Sequence, residues 1–573
     1  MAINHLRRSA IAVAVGSAIS GFAFAGSLPS DVSSNNQVLF MSGSTAVNTP
    51  LEYLFRITAD GGATGVNCVK GTISIYRNGA SESSQGTFRT VICQGTGDLA
   101  PGSGTIPTVG ANRIAFTKEG AAGSGNAFGP VNGTQNITFQ DVRNMTCAGK
   151  DGNINTAPAN DGNLGGTGGN VPDTTAAPAG GTLLAADVYY NCTGTTAAQR
   201  SDAGIADVES KLFDTTGQNE VAVAQVMFGV PVSLNLYRAL QVAQGLNTGS
   251  CATLAQRDTP ACVPSLSSSV IAGLYSGTIT DWSALADGIT TTTPGTGTGL
   301  PSVTGVTAPT NNNVYICRRG NSSGTQRGTR AYFLNQGCNG TDSFAAATNT
   351  SCDTGKTAEI DGCTFNTASD LDDTLVFANN NTGSVQACLD SRDDQNKWAI
   401  GVLGMDDVPN GIGGAGGDAR DTAGTSGAEV NTKEYRFVRV DGALPSLESA
   451  AVGAYTFYTE NVCTRASTVS ATSDKGRIQA RVCSANGLTN PLTLTLVDTP
   501  LSTMPSGGGG LLAKPDYVTA TPNPQPVTLA NMLANPVNLT TKSVSGTVNN
   551  CSKAVALPIP GVITGPAGTG ILP

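Results

Sequence analysis

The sequence predicts an α/β fold with mainly parallel sheets, divided into two or more lobes. Short apolar strand segments alternate with helical stretches, as in sheets whose parallel strands are joined by helical crossovers. The 573 residues exceed what one hydrophobic core organises. The 14 cysteines are an even number, and all follow an export signal, so multiple disulfides are expected.

The chain opens as an exported protein. Arg7 and Arg8 form a positive n-region, Ala10 to Gly21 a short apolar run, and Ala23-Phe24-Ala25 a small-x-small cleavage signal. That pattern describes a secretory signal peptide over residues 1–25, too short to span a membrane. No later segment reaches the ~18 apolar residues of a span, so the exported chain is not expected to be membrane-embedded. A periplasmic location is expected, with secretion to the exterior as the alternative.

Cleavage would remove His5, the only histidine. A chain without histidine has no Ser-His-Asp or Cys-His unit and no imidazole to bind metal. Two-carboxylate hydrolysis stays open, but the expectation is no enzyme, no metal and no cofactor. Losing Arg7 and Arg8 takes the formal charge from −9 to −11. An acidic chain with no basic run is a poor partner for nucleic acid. If it holds an anion, it must do so locally, with amides, hydroxyls and a few arginines.

The elements follow in order. Val38 to Met41 reads as a strand, and Leu51, Tyr53, Leu54 and Phe55 as the apolar side of a helix. Thr72 to Tyr76 is a second strand. Val221 to Leu236 is a long apolar strand region interrupted at Pro231. Val270 to Tyr275 ends a helix, with Gly277 placed as its terminating glycine. Val314 to Cys317 is a strand leading through a Gly/Ser loop into a helix at Phe333 and Leu334, and Trp398 to Leu403 is another strand. Gly/Asn/Thr-rich stretches near 149–181, 290–313, 339–357 and 411–427 read as long surface loops. Cys68 with Cys93, Cys251 with Cys262, and Cys352 with Cys363 are spaced for local bridges. The absence of C-x-x-C argues against zinc.

Two strand-loop-helix junctions share one design: Ser42-Gly43-Ser44-Thr45, and Arg318-Arg319-Gly320-Asn321-Ser322-Ser323-Gly324-Thr325. A helix N-terminus offers unpaired N–H groups and roughly half a positive charge. Small residues let the backbone come close, and an arginine adds a planar fork matched to an oxyanion. Either junction alone is more often an ordinary helix cap; two such junctions, one with an arginine, are more telling of an oxyanion.

In these segments and their order the chain resembles the periplasmic phosphate-binding proteins of ABC-type importers. Ser42 to Val47 is similar to the family's opening phosphate loop. Tyr76 to Gly86 resembles its second strand and Gly/Ser turn, and Asp202 to Asp207 its D-x-G-x-S-D segment. Ile271 to Trp282, Arg318 to Thr325 and Ala399 to Val402 complete the series. The resemblance covers about residues 36–405, more loosely to 460. It implies a two-lobed type II periplasmic-binding-protein fold with hinge crossovers. Residues 26–226 would form lobe 1 with an insertion at about 118–200, and 227–450 lobe 2. Residues 451–573 would return to lobe 1 and run into an irregular Pro/Thr/Gly-rich region. The crossings would lie near Val226 to Val232 and Ala450 to Tyr458.

The same resemblance implies a phosphate site. Ser44, Thr45 and Ala46 would form the first loop, and Ser81 or Ser83 would add the second-strand hydroxyl. Arg319 would supply the charged fork, with Ser323, Gly324 and Thr325 completing the cradle. Asp207 would accept the proton of hydrogen phosphate, which sulfate cannot offer. Inorganic phosphate or a similar oxyanion such as arsenate is the implied ligand, and an ABC membrane permease the implied partner. Asn321 departs from the family's Asp, and Ala206 from its Ser. Asp207 could instead cap a helix, with Glu209 as first-turn charge. Trp282 and Trp398 read as core rather than sugar platforms. The pairs Asp372-Asp373, Asp393-Asp394 and Asp406-Asp407 read as acidic turns rather than calcium ligands. The competing function is a secreted surface or matrix protein that kept the fold without transport.

Overall fold

The computed structural model describes residues 37–45, 47–56, 67–68, 73–78, 87–95, 114–120, 123–142, 145–147, 188–285, 299–338, 340, 343–346, 375–405, 433–446, 449–450 and 453–483. It also describes 511–512, 540–542, 548–552 and 555–556. Residues 1–36, Ala46, Ser81, Ser83, Cys352, Cys363, Asp372-Asp373, Asp406-Asp407 and most of the predicted long loops lie outside these residues.

The first group of elements is β1 (Val38–Gly43), α1 (Asn48–Arg56), β2 (Ser74–Arg77), β3 (Phe88–Cys93), β4 (Ile114–Glu119), β5 (Thr146–Cys147), β6 (Val188–Thr193) and β7 (Ala203–Ala206). β8 (Val221–Ser233) leads into the second group: α2 (Leu234–Ala243), β9 (Ser265–Leu266), α3 (Ser268–Tyr275), β10 (Tyr315–Arg319), α4 (Gly324–Leu334), β11 (Val376–Asn379), α5 (Thr382–Asp394), β12 (Ala399–Gly401), β13 (Leu403–Gly404) and β14 (Tyr435–Val440). β15 (Tyr458–Arg465) and α6 (Asp474–Val482) follow.

The strands join in the order β11-β10-β12-β8-β15-β7-β1-β4-β3-β2-β6-β5. Each group is parallel at its centre: β1 lies between β4 and β7, and β10 between β11 and β12. The sheet is mixed rather than mainly parallel, since β3 runs antiparallel to both β2 and β4, and β15 to both β7 and β8. Only ten residues separate Arg77 from Phe88, fewer than the dozen or so that a parallel crossover needs.

β8 belongs to both groups. Val221 to Met227 pair with β15, and Val230 to Ser233 pair with β14. Pro231 does not interrupt the strand. On the edge facing β12 and β13 the pairing skips from Gly229 to Val232, so the missing N–H falls where that edge has no ladder partner. Gly277 has φ +73° just past α3, as a terminating glycine should.

Strands β1, β3 and β4 are buried along their full length, as expected of strands covered on both faces. Trp282 and Trp398 are fully buried, and the Trp282 indole donates to the Trp398 carbonyl at 3.1 Å. Both are core. Asp393 accepts the Asn235 N–H at 2.6 Å, at the start of α2, so this acidic residue has a structural partner. Five disulfides join described residues: Cys68–Cys93, Cys251–Cys262, Cys317–Cys388, Cys338–Cys551 and Cys463–Cys483.

The Cys338–Cys551 bridge anchors a stretch of the C-terminal region that sequence alone leaves unassigned. Asn550 donates to both Glu209 oxygens, at 2.9 and 2.6 Å, and its side-chain oxygen accepts the Glu460 N–H at 2.8 Å. Lys542 is buried, donates to the Tyr458 carbonyl at 2.6 Å, and sits over the Tyr332 and Tyr458 rings. This segment therefore touches β15, α4 and the turn after β7 together. Replacing Cys338 and Cys551 by serine is expected to lower stability by about 2–4 kcal/mol. A thermal melt under non-reducing conditions checks it.

Candidate functional site

β1 and β7 are parallel neighbours with Gly43 opposite Ile205, so both chains leave the sheet side by side. Gly43 has φ +117°, and a Cβ there would collide with the Ile205 carbonyl, so only glycine permits the turn. The next residue, Ser44, donates its N–H to Ile205 O at 2.8 Å. Its hydroxyl donates to Asp207 Oδ1 at 2.5 Å.

Three other elements converge on Asp207. Ser124 lies in the 3-10 turn Gly123–Ala127 that follows β4, and its hydroxyl oxygen accepts the Asp207 N–H at 3.2 Å. Asn461, in the middle of β15, donates its amide to Asp207 Oδ1 at 3.3 Å. From the second group comes the first residue of α4. A Cβ on Gly324 would stand 2.6 Å from Asp207 Oδ2, so the bare glycine is in contact with the carboxylate. Beside it the Gly125 N–H donates to Ser322 O at 2.9 Å. The positive end of α4 is thus aimed at a buried carboxylate.

Ser323 caps α4, its hydroxyl accepting the Gln326 N–H at 3.5 Å, and Thr325 is buried in the first turn. Arg319 ends β10; its guanidinium donates to Thr382 Oγ1 at 3.2 Å and to the Asn380 carbonyl at 3.0 Å. Asn321, standing where the resembling family has aspartate, serves different arginines. Its side-chain oxygen accepts from Arg330 and its carbonyl from Arg327.

Burial pushes the Asp207 carboxyl above its ordinary range, while hydrogen bonds from Ser44 and Ser124 and the charges of Arg319 and Lys118 pull the other way. Lys118 is also fully buried, and burial pushes its ammonium down to about 7. It donates to Gly43 O at 3.1 Å and Asn48 Oδ1 at 2.7 Å.

Of the residues expected from sequence, Ser44, Asp207 and Gly324 meet directly. Ser323 and Thr325 flank the helix start, and the Arg319 charge acts on Asp207. Thr45 is exposed at the loop tip. Asp207 is no helix cap: its carboxylate bonds Ser44 and Asn461, and the following 3-10 turn is headed by Glu209 with no side-chain cap. Glu209 is no free first-turn charge either, because Asn550 occupies it. Sequence reasoning missed Ser124, Lys118 and Asn461. The first two fall where an insertion is predicted from about residue 118, although Lys118 lies inside a central strand.

The assembly offers one buried acceptor, a helix N-terminus and nearby cations, a set suited to an anion that carries a proton. Among the described residues no group of His, Cys, Asp and Glu is placed to hold a metal, and no helix is long and apolar enough to cross a membrane.

No family model matches the chain, and no curated protein matches it. Several solved structures are distantly similar, three of which follow. One is a candidate phosphate ABC transporter substrate-binding protein with bound phosphate from Clostridium perfringens, 14% identical at TM-score 0.26, covering 50% of this chain and 76% of that one. Another is an ABC-type phosphate transport receptor from Vibrio cholerae, 12% identical at TM-score 0.24, covering 47% and 68%. The third is a phosphate binding protein from Stenotrophomonas maltophilia, 12% identical at TM-score 0.23, covering 53% and 79%. Likeness this remote carries no functional argument, which rests on the geometry around Asp207.

Proposed function

We propose that the chain is an exported binding protein that holds a protonated tetrahedral oxyanion, hydrogen phosphate or hydrogen arsenate, between two lobes. The observation that carries this reading is the buried Asp207 carboxylate, met by Ser44 from one group of strands and by the N-terminus of α4 from the other. A carboxylate accepts the ligand's remaining proton, while helix amides, hydroxyls and Arg319 donate to its oxygens. Sulfate has no proton to give, so the carboxylate repels it. β8 and β15 would act as the hinge, since they are the strands that connect the groups, and the ligand would bring the lobes together. The ligand would then pass to a membrane permease of the ABC class.

Calorimetric titration of the ligand-stripped protein with phosphate, arsenate and sulfate tests the reading. One-site binding of phosphate and arsenate without sulfate is expected. Arg319→Ala should weaken it roughly tenfold, the worth of one charge-assisted hydrogen bond. Absence of heat with every oxyanion would overturn it.

A further inference from the structure

We propose that Lys118 is the buried counter-cation of this site: it ties down the loop that carries Ser44 and supplies the charge that lets a dianion lie beside Asp207. The inference rests on the oxyanion reading above and assigns a residue that no sequence motif marks.

Lys118 sits in β4 with Met41 of β1 on one side and Arg89 of β3 on the other, and it is 0% exposed. Its two hydrogen-bond acceptors, Gly43 O and Asn48 Oδ1, stand on either side of Ser44 in the sequence. One ammonium thus clasps both ends of the loop that presents the Ser44 hydroxyl to Asp207. A Cβ on Gly120 would lie 3.0 Å from Thr45 Cγ2 and 3.4 Å from Lys118 Nζ, which places the ammonium next to the loop tip.

Among the described residues, three charged groups act on it. Glu119 is its neighbour on β4, Arg89 faces it from β3, and Asp207 follows β7. From α1 come neutral Asn48 and, further along, Glu52, which already accepts from Arg77 and Arg89 at 2.8 and 3.3 Å. Burying an ammonium on two uncharged acceptors is costly for a scaffold alone. It is useful where a second negative charge arrives with the ligand. A dianion joining an ionised Asp207 meets the charge of Arg319 from the second group, and Lys118 adds compensating charge from the first.

With its ammonium pushed down to about 7, Lys118 is largely neutral in the empty protein at about pH 8. An anion favours the charged form, so binding there must take up a proton, and affinity must fall as pH rises through this range.

Phosphate titrations of the whole protein at about pH 8, in two buffers of different ionisation enthalpy, read that proton count. Uptake of close to one proton is expected, falling to near zero in Lys118→Met, with phosphate affinity reduced at least about tenfold. Lys118→Arg, charged at every pH, should regain affinity but not uptake. Wild-type protein that binds phosphate without proton uptake, or a Lys118→Met variant with unchanged uptake, would overturn the Lys118 role alone. Wild-type protein that binds no oxyanion would overturn the underlying reading of the site.

Discussion

Asp207→Asn is expected to raise sulfate affinity by about a hundredfold and to erase the preference for hydrogen phosphate. The substitution keeps the shape of the side chain and leaves an oxygen for the Ser44 hydroxyl, so the loop after β1 has no cause to move. What it removes is a buried negative charge in a place where like charges cost several kcal/mol. The same change should stabilise the protein. Burial raises the Asp207 carboxyl above its ordinary range, so the fold holds that proton more tightly than the unfolded chain does. That contribution is fully present below the ordinary aspartate range and is lost as pH rises through the raised value. At neutral pH the buried Asp207 therefore opposes folding relative to an uncharged side chain, and the asparagine should melt higher by about 1 kcal/mol of added stability. At acid pH, where both forms are neutral, the gain should vanish. Calorimetry with sulfate and melts at the two pH values read both effects. A variant that still rejects sulfate would mean that another group sets the selectivity.

How much of this was legible in the sequence differs from element to element. The junctions after β1 and β10 were readable because their chemistry is local: strand, small residues, hydroxyls and helix follow one another within ten residues. Asp207 was readable only through the resemblance of Asp202 to Asp207 to the D-x-G-x-S-D segment of the phosphate-binding proteins. Ser124, Lys118 and Asn461 were not. Lys118 sits in a strand of wholly buried residues, where a lone lysine carries no periodic signal, and its acceptors lie about 70 residues away in the chain. Asn461 reaches Asp207 across a separation of 254 residues, a relation set by strand pairing alone. The bridge between Cys338 and Cys551, 213 residues apart, is likewise a product of tertiary packing, while Cys68–Cys93 and Cys251–Cys262 could be anticipated from spacing. The antiparallel pairing of β2 with β3 follows from connection length, a feature that alternation of strands and helices does not report.

Gly324→Ala is expected to weaken phosphate binding by about a hundredfold, although alanine is the better helix former by up to about 1 kcal/mol. Local propensity and tertiary contact therefore predict opposite signs, which makes this substitution diagnostic. The backbone of Gly324 needs no left-handed conformation; what it needs is room. A methyl there would meet the Ser124 hydroxyl and stand 2.6 Å from Asp207 Oδ2 and 2.7 Å from Asp207 Cβ, the last an atom that cannot swing away. Either α4 retreats or the turn after β7 shifts. Overpacking of this kind costs about 1–3 kcal/mol, and its upper end corresponds to about a hundredfold in affinity. Retreat of α4 would also break the Gly125 to Ser322 hydrogen bond, which joins the first group of elements to the second. Small-angle scattering should then give a larger radius of gyration than wild type, and saturating phosphate should fail to restore it. Wild-type affinity together with an unchanged radius would show that α4 need not touch Asp207, and the anion would have to be held by the β1 loop and Arg319 alone.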